Sequence, residues 1–443
     1  MSTLRTGWTR RRLRFDLDTN PKKSLANLDS AREVSFVPMD AVGELGGLDT
    51  SATKEVGEVY DGYTYFADGD VCIAKITPCF ENGKGALAEG LTNGVGFGTT
   101  ELHVLRPRDT LDAKFLFYLT IAHDFRRIGA AEMLGAGGQK RVPERFIKDW
   151  RPPLPPLETQ RRIARFLDAK IARIDALIAK KRALLDRLAE KRQALITQAV
   201  TKGLDSSVPM KDSGIDWLGQ IPAHWTVRRI KELGRLTGGT GFPHEYQGER
   251  DRELPFFKVA DLGKIALTKK LTMTENTIDR DTAATLGASI MQGGDIVFAK
   301  VGAALLLNRF RVVGCACCVD NNMMTFRPSS LVSTDFALLA MSRINFSDIV
   351  NPGAVPSVNA GQVGEIRLAV PDPMEQRQIV EIASRNMQTF EAVADKVSST
   401  ICTLAEYRSA LITAAVTGQL EIPVDGQADH SGEGLGKLAA EVA

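Results

Sequence analysis

Two short strings decide how this sequence is read: R-Q-A-L-I-T-Q-A-V-T, Arg192 to Thr201, and R-S-A-L-I-T-A-A-V-T, Arg408 to Thr417. Eight of ten positions are identical at an offset of 216. The same offset aligns Gln160-Arg161 with Gln376-Arg377 and Pro155 with Pro371. Upstream, G-D-V-C-I-A-K (Gly69 to Lys75) matches G-D-I-V-F-A-K (Gly294 to Lys300) at 225, Arg106-Pro107 matches Arg327-Pro328 at 221, and Trp8-Thr9 matches Trp225-Thr226 at 217. Order is kept and only loop lengths drift, so the chain is one unit written twice.

Each copy ends in a long helical pattern. Apolar residues fall at Ile163, Leu167, Ile171, Ile174, Ile178, Leu185, Leu188, Leu195 and Ala199, the three-and-four spacing of a coiled-coil stripe. The second copy repeats it at Ile379, Ala383, Met387, Phe390, Ala394, Val397, Ile401, Leu404, Leu411 and Ala415. Pro-rich stretches (R-P-P-L-P-P-L and V-P-D-P-M) precede the helices, and Gly203 and Gly418 stop them. Neither stripe is stable alone in water, so the two helices are expected to bury each other. Antiparallel pairing avoids a return trip along the rod and puts a globular module at each end of a dumbbell, with the C-terminus near the first module.

The globular parts read as α+β. Val71 to Ile76, Leu102 to Leu105, Ile296 to Ala299 and Arg311 to Cys318 have strand character. Lys114 to Ile128 and Asp335 to Ile349 have helical character, and the tail from Asp425 is polar enough to be disordered. The length of 443 residues calls for more than one core. The expected segments are a module at 1–152, a helix at 153–204, a module at 205–372, a helix at 373–420 and a tail at 421–443.

Composition gives no targeting signal: Met1 to Phe15 is Arg-rich without an apolar core, and no apolar run approaches a membrane span. A cytoplasmic location follows as an expectation. The six cysteines form no CxxC pair, and Cys315, Cys317 and Cys318 read as buried thiols in a strand. N-P-G-A (Asn351 to Ala354) and P-D-P-M lack the consecutive prolines and aromatic residue of an adenine methyltransferase motif. G-V-G-F-G (Gly94 to Gly98) opens no helix and reads as turn glycines. With no P-loop, no nuclease-like carboxylate cluster and five scattered histidines, the chain reads as non-catalytic, with no cofactor and no metal.

Cationic and polar groups fit phosphate and base-edge contacts. The candidates are Lys75 and its equivalent Lys300, Lys84, and Gln139, Lys140 and Arg141 in the G-G-Q-K-R stretch, read as a mobile loop. Thr237 and Thr240 join them in T-G-G-T, read as an unrestrained loop. A surface without a ligand is the bland alternative for each. The first helix, Thr159 to Lys202, carries 12 Lys/Arg against 4 Asp/Glu, whereas Met374 to Thr417 carries 4 against 5. That surplus suits a phosphate backbone, an acidic partner or plain solvation.

The sequence resembles the specificity subunits of type I restriction–modification systems. The likeness is carried by I-T-P-C-F-E-N-G-K (Ile76 to Lys84), G-F-G-T-T-E-L-H-V-L-R-P (Gly96 to Pro107), P-P-L-E-T-Q (Pro155 to Gln160), K-D-S-G-I-D-W-L-G-Q-I-P-A-H-W (Lys211 to Trp225) and the A-L-I-T-x-A-V-T endings. It implies two target-recognition domains reading the halves of a split double-stranded DNA sequence, with the antiparallel helices as ruler. It also implies two methyltransferase subunits and restriction subunits as partners, which would own the cofactor and the catalysis. The second copy departs from the pattern: N-M-M-T-F-R-P stands against T-E-L-H-V-L-R-P, and V-P-D-P-M-E-Q lacks the P-P-L step. Two other functions compete at this level, a coiled-coil scaffold using its modules for protein contacts and an enzyme that methylates or cuts DNA alone.

Overall fold

The computed structural model describes residues 5–24, 29–136, 138–264, 267, 269–351 and 355–422. The polar tail from Asp425, Gly137 and most of N-P-G-A lie outside these residues. The chain divides into two compact units, Met1–Arg182 with Val397–Ala443, and Ala183–Lys396.

In the first unit, a four-stranded antiparallel sheet takes the order β1-β8-β5-β6, from β1 (Leu17–Thr19), β5 (Val71–Ala74), β6 (Gly85–Leu87) and β8 (Leu102–Pro107). A second sheet is ordered β3-β2-β7-β4, from β2 (Glu33–Val37), β3 (Thr53–Glu55), β4 (Thr64–Ala67) and β7 (Val95–Gly98), with β2 and β7 parallel. In the second unit the order β9-β15-β12-β13 recurs, from β9 (Gly234–Gly238), β12 (Ile296–Ala299), β13 (Phe310–Val312) and β15 (Met323–Pro328). Beside it β10 (Leu254–Phe257) lies between β11 (Thr277–Ile278) and a parallel β14 (Cys318–Val319). Even the register is duplicated: Val71 faces Leu105 as Ile296 faces Phe326, and Ala74 faces Leu102 as Ala299 faces Met323. A one-residue slip would have turned every side chain to the other face, so the shared register reflects a shared buried pattern.

The long helices run over α3 (Leu157–Lys202) and α6 (Pro373–Val416). Gly203 and Gly418 follow them at φ +74° and +76°, the left-handed stop expected of a glycine. In the first unit Ile163, Leu167, Ile171 and Ile174, from the start of α3, share a core with Leu404, Leu411, Ile412 and Ala415, from the end of α6. In the second, Ile196, Ala199 and Val200 share one with Ile379, Ala383 and Met387. Within each unit the start of one helix therefore meets the end of the other, which is antiparallel pairing. In the first unit Arg408 pairs with Asp175 at 3.2 Å across these helices.

Four local expectations need correction. Lys114 to Ile128 is not one helix: α1 (Ala113–Ile121) and α2 (His123–Ala131) are separated by Ala122 at ψ 144°. The helix expected over Asp335 to Ile349 is α5 (Thr334–Met341), followed by a single 3-10 turn at Phe346–Asp348. Arg311 to Cys318 is split between β13 and β14, because Gly314 to Ala316 turn the chain into the other sheet. Gly96 and Gly98 are strand residues rather than turn glycines. A Cβ on Gly96 would meet the Phe66 ring at 2.3 Å, and one on Gly98 would meet the Val37 carbonyl at 2.6 Å. These glycines let a ring and a neighbouring strand close onto the sheet.

Candidate DNA interface

The sheets carry the candidate residues at their ends. Lys75 follows β5, and its carbonyl accepts from Val142 N–H at 2.8 Å while its own N–H donates to the Glu101 carbonyl at 2.9 Å. Lys300 follows β12 and does the same, accepting from Val358 at 2.9 Å and donating to Asn322 at 2.8 Å. The two lysines thus hold one position in a duplicated frame.

Arg141 is brought to Lys75 by the strand-like bridges of Arg141 to Ile76 and Leu134. Lys140 accepts from Thr77 N–H at 2.9 Å. This end of the G-G-Q-K-R stretch is thus tied down rather than a mobile loop; Gly137 is outside the described residues. The Arg141 fork is also occupied, donating from Nε and Nη2 to the Glu101 carboxylate at 2.9 and 2.8 Å. That hydrogen bond holds the Glu101 carboxyl below its ordinary range, against the opposing effect of burial. Gln139 and Lys140 are exposed.

Lys84 is half-buried, and its ammonium donates to the Met39 carbonyl at 2.9 Å. Thr237 is a strand residue of β9 opposite Thr325, and Thr240 bridges Asp320. The T-G-G-T stretch is therefore restrained; a Cβ at Gly239 would fall 2.0 Å from the Asp320 carbonyl. Lys300 Nζ lies 3.5 Å from where a Gly238 Cβ would stand, so Lys300 and the end of β9 share one face. The structure therefore groups Lys75 with Lys140 and Arg141, and Lys300 with the Thr237 strand, while Lys84 points into the fold.

Two further residues were visible only as aligned letters. Gln160, in the first turn of α3, accepts from Asp112 N–H at 2.8 Å and donates to the carbonyls of Thr110 and Pro155 at 3.1 and 2.9 Å. Asp112 in turn caps α1 by accepting from Phe115 N–H. Gln376 repeats this in α6, accepting from Ser333 N–H at 2.8 Å and donating to Leu331 and Pro371, each at 3.0 Å. Each glutamine clamps its module to its long helix. The aligned tryptophans mark the other junction: Trp225 lies against Gly203 at the end of α3, and Trp8 covers Gly418 at the end of α6.

Cys317 and Cys318 are buried and Cys315 half-buried; burial pushes the Cys318 thiol up to about 11. Among the described residues, no group of three or more His, Cys, Asp or Glu is placed to hold a metal ion. Nor, among them, is any helix long and apolar enough to cross a membrane.

The two modules share the order and register of one four-stranded sheet, and each is clamped to a long helix by an equivalent glutamine. The family model for the type I restriction modification DNA specificity domain matches twice, over residues 15–187 and 222–397, and the chain belongs to that family. The chain is 43% identical over 159 residues to the type I restriction enzyme EcoAI specificity subunit of Escherichia coli, a stretch covering 35% of this chain and 27% of that subunit. The match thus spans little more than a quarter of that relative's length. In fold, the chain is similar to a chain from a study of complex assembly and conformational transition in the type I R-M system. That likeness has a TM-score of 0.75, 18% identity and coverage of 95% of this chain and 100% of that one. It is also similar to the HsdS subunit of Thermoanaerobacter tengcongensis, with a TM-score of 0.55, 19% identity and coverage of 95% and 99%.

Proposed function

We propose that this chain is the DNA-reading subunit of a type I restriction–modification complex. Each module reads one half of a bipartite duplex target, and the paired helices hold the halves in register. The observation that carries this reading is the doubled module, with one frame, register and helix clamp but diverged surface residues. A reader of two different half-sites needs a common scaffold and separate contacts.

On this reading residues 1–152 and 205–372 are the target-recognition domains and 153–204 and 373–420 the spacers. Lys75, Gln139, Lys140, Arg141, Thr237, Thr240 and Lys300 are the candidate contacts, with Lys75 and Lys300 foremost, whereas Lys84 is held on the Met39 carbonyl. Two methyltransferase subunits and restriction subunits dock on the chain in the cytoplasm and supply cofactor and catalysis, so this subunit is not itself an enzyme.

The test is to map methylated adenines in host DNA, then measure binding of that sequence by the complex assembled with its methyltransferase. Selective, salt-dependent binding to a split site supports the proposal. Equal affinity for all sequences would leave a protein scaffold, and methyl transfer by the purified chain alone would make it an enzyme.

A further inference from the structure

The turns after Lys75 and Lys300 are the same device with different tips. Both run from a lysine to a second cation nine residues on, Lys75 to Lys84 and Lys300 to Arg309. Both are pinned by a buried apolar residue at the same step, Phe80 at 0% exposure and Leu305 at 1%. The carbonyl of that anchor accepts from the residue three further on, Gly83 at 3.0 Å and Asn308 at 3.2 Å. Those two residues adopt positive φ, 77° and 47°, and return the chain to the second cation. Glycine and asparagine tolerate that conformation best.

Between anchor and return stand two exposed residues, Glu81-Asn82 in the first copy and Leu306-Leu307 in the second. The polar pair is used by its own fold: Thr77 Oγ1 donates to Glu81 and Asn82 donates to Glu44, each at 3.2 Å. Leu306 and Leu307 are 42% and 56% exposed, on a single helical turn α4 (Ala303–Leu306) and the residue after it. The equivalent turn of the first module closes with polar residues at these two positions. Nearby, Pro356 accepts from Gly302 N–H at 2.8 Å, and the adjoining Val355 is also exposed. An adjacent apolar pair displayed between two cations, on the same turn as a candidate phosphate contact, fits a groove with phosphates at its rim and apolar surface within it. In the major groove that surface is the thymine C5-methyl group.

Resting on the function proposed above, we propose that Leu306 and Leu307 are specificity-determining residues of the second module, contacting thymine methyl groups of its half-site. Lys300 and Arg309 hold the flanking phosphates. The first module, with a polar tip, makes no such contact at this turn.

The experiment uses the complex assembled with methyltransferase and the mapped target duplex, with deoxyuridine replacing thymine in each half-site in turn. Wild-type complex should lose about tenfold in affinity when one half-site is so treated, the scale of one good base contact. The double variant Leu306→Ala, Leu307→Ala should bind thymine and deoxyuridine versions of that half-site equally. It should also keep its response at the other half-site and its unfolding temperature, which separates lost contact from lost fold. Wild type indifferent to deoxyuridine in both half-sites, or a double variant with the wild-type ratio, overturns the inference while selective binding stands. A double variant that no longer assembles with methyltransferase makes the pair a protein contact instead. If wild-type complex shows no sequence preference at all, the function proposed above falls with it.

Discussion

Arg106 grips the carboxylate of Asp70 with two hydrogen bonds of 2.7 Å, Nε to Oδ1 and Nη2 to Oδ2, and Arg327 grips Asp295 with the same atoms at the same distances. Each aspartate also accepts from a backbone N–H three residues earlier, Ala67 at 2.8 Å and Gln292 at 2.9 Å. The residues belong to the G-D and R-P strings that align at different offsets. The fork therefore joins the two best-kept fragments of each module across a sheet, while the loops between them are free to change length.

Removing the cation should be costly, because the Asp70 side chain is only 1% exposed and would keep an uncompensated charge. Arg106→Ala is expected to lower stability by about 2 kcal/mol, the Arg106 side chain being partly solvated. Arg106→Lys should fall between, since a lysine keeps the charge and loses the fork. Chemical denaturation of the full chain reads both. Equal stability of Arg106→Ala and wild type would reduce the duplicated fork to decoration.

Gln160 and Gln376 offer a test of the clamps. Replacing Gln376 with Ala leaves Ser333 N–H and two carbonyls seeking partners in a partly buried junction, at about 1–2 kcal/mol. The expected result is faster amide exchange at Ser333 and through the first turn of α6, with the β9-β15-β12-β13 sheet unaffected. Exchange that rises uniformly over the second unit would mean that the glutamine supports the whole module instead.

The long helices were legible because an a/d stripe of some forty residues between proline and glycine admits one structure. Short elements were less so. Nothing in the composition of Lys114 to Ile128 marks Ala122 as the break, since its extended ψ of 144° falls at neither a proline nor a glycine. After Arg311 the run to Cys318 carries no charge and is broken only by Gly314, a pattern that does not tell one strand from two in different sheets. At the site, residue types were readable but pairing was not: Glu101 is 40 positions from Arg141, and only the fold shows that it occupies that guanidinium. Gln160 and Gln376 did stand out as aligned letters, yet a sequence offers no way to assign a clamp to them.

His103 makes stability depend on pH. Its Nε2–H donates to the Val142 carbonyl at 2.9 Å beside Lys75. Burial is the main cause that depresses its pKa below the ordinary histidine value, and Lys75 adds to the effect while the Val142 bond opposes it. The unfolded chain therefore takes up a proton before the folded one does. The stabilising contribution is present above about pH 6.5 and is lost as pH falls below it. His103→Gln, which cannot titrate, should flatten the denaturation midpoint between about pH 7 and pH 5 relative to wild type. Parallel curves for the two proteins would rule out this histidine as the source.

The cations should differ in their share of DNA binding according to what already holds them. Lys75 and Lys300 have backbone groups bonded into the sheets and ammonium groups with no ion-pair partner among the described residues, so each is available for a phosphate. Arg141 must first release Glu101. For a complex following the proposed function, the slope of log affinity against log salt should fall by about one for Lys75→Ala and for Lys300→Ala, each having released one phosphate contact. Arg141→Ala should change the slope less than either, because its charge is already offset. Glu101→Gln should tighten binding and steepen the slope, by freeing the Arg141 fork and removing a negative charge from the same edge. If Glu101→Gln weakens binding, then the Glu101–Arg141 pair itself is what meets the DNA, with the carboxylate accepting from a base edge rather than restraining its neighbour.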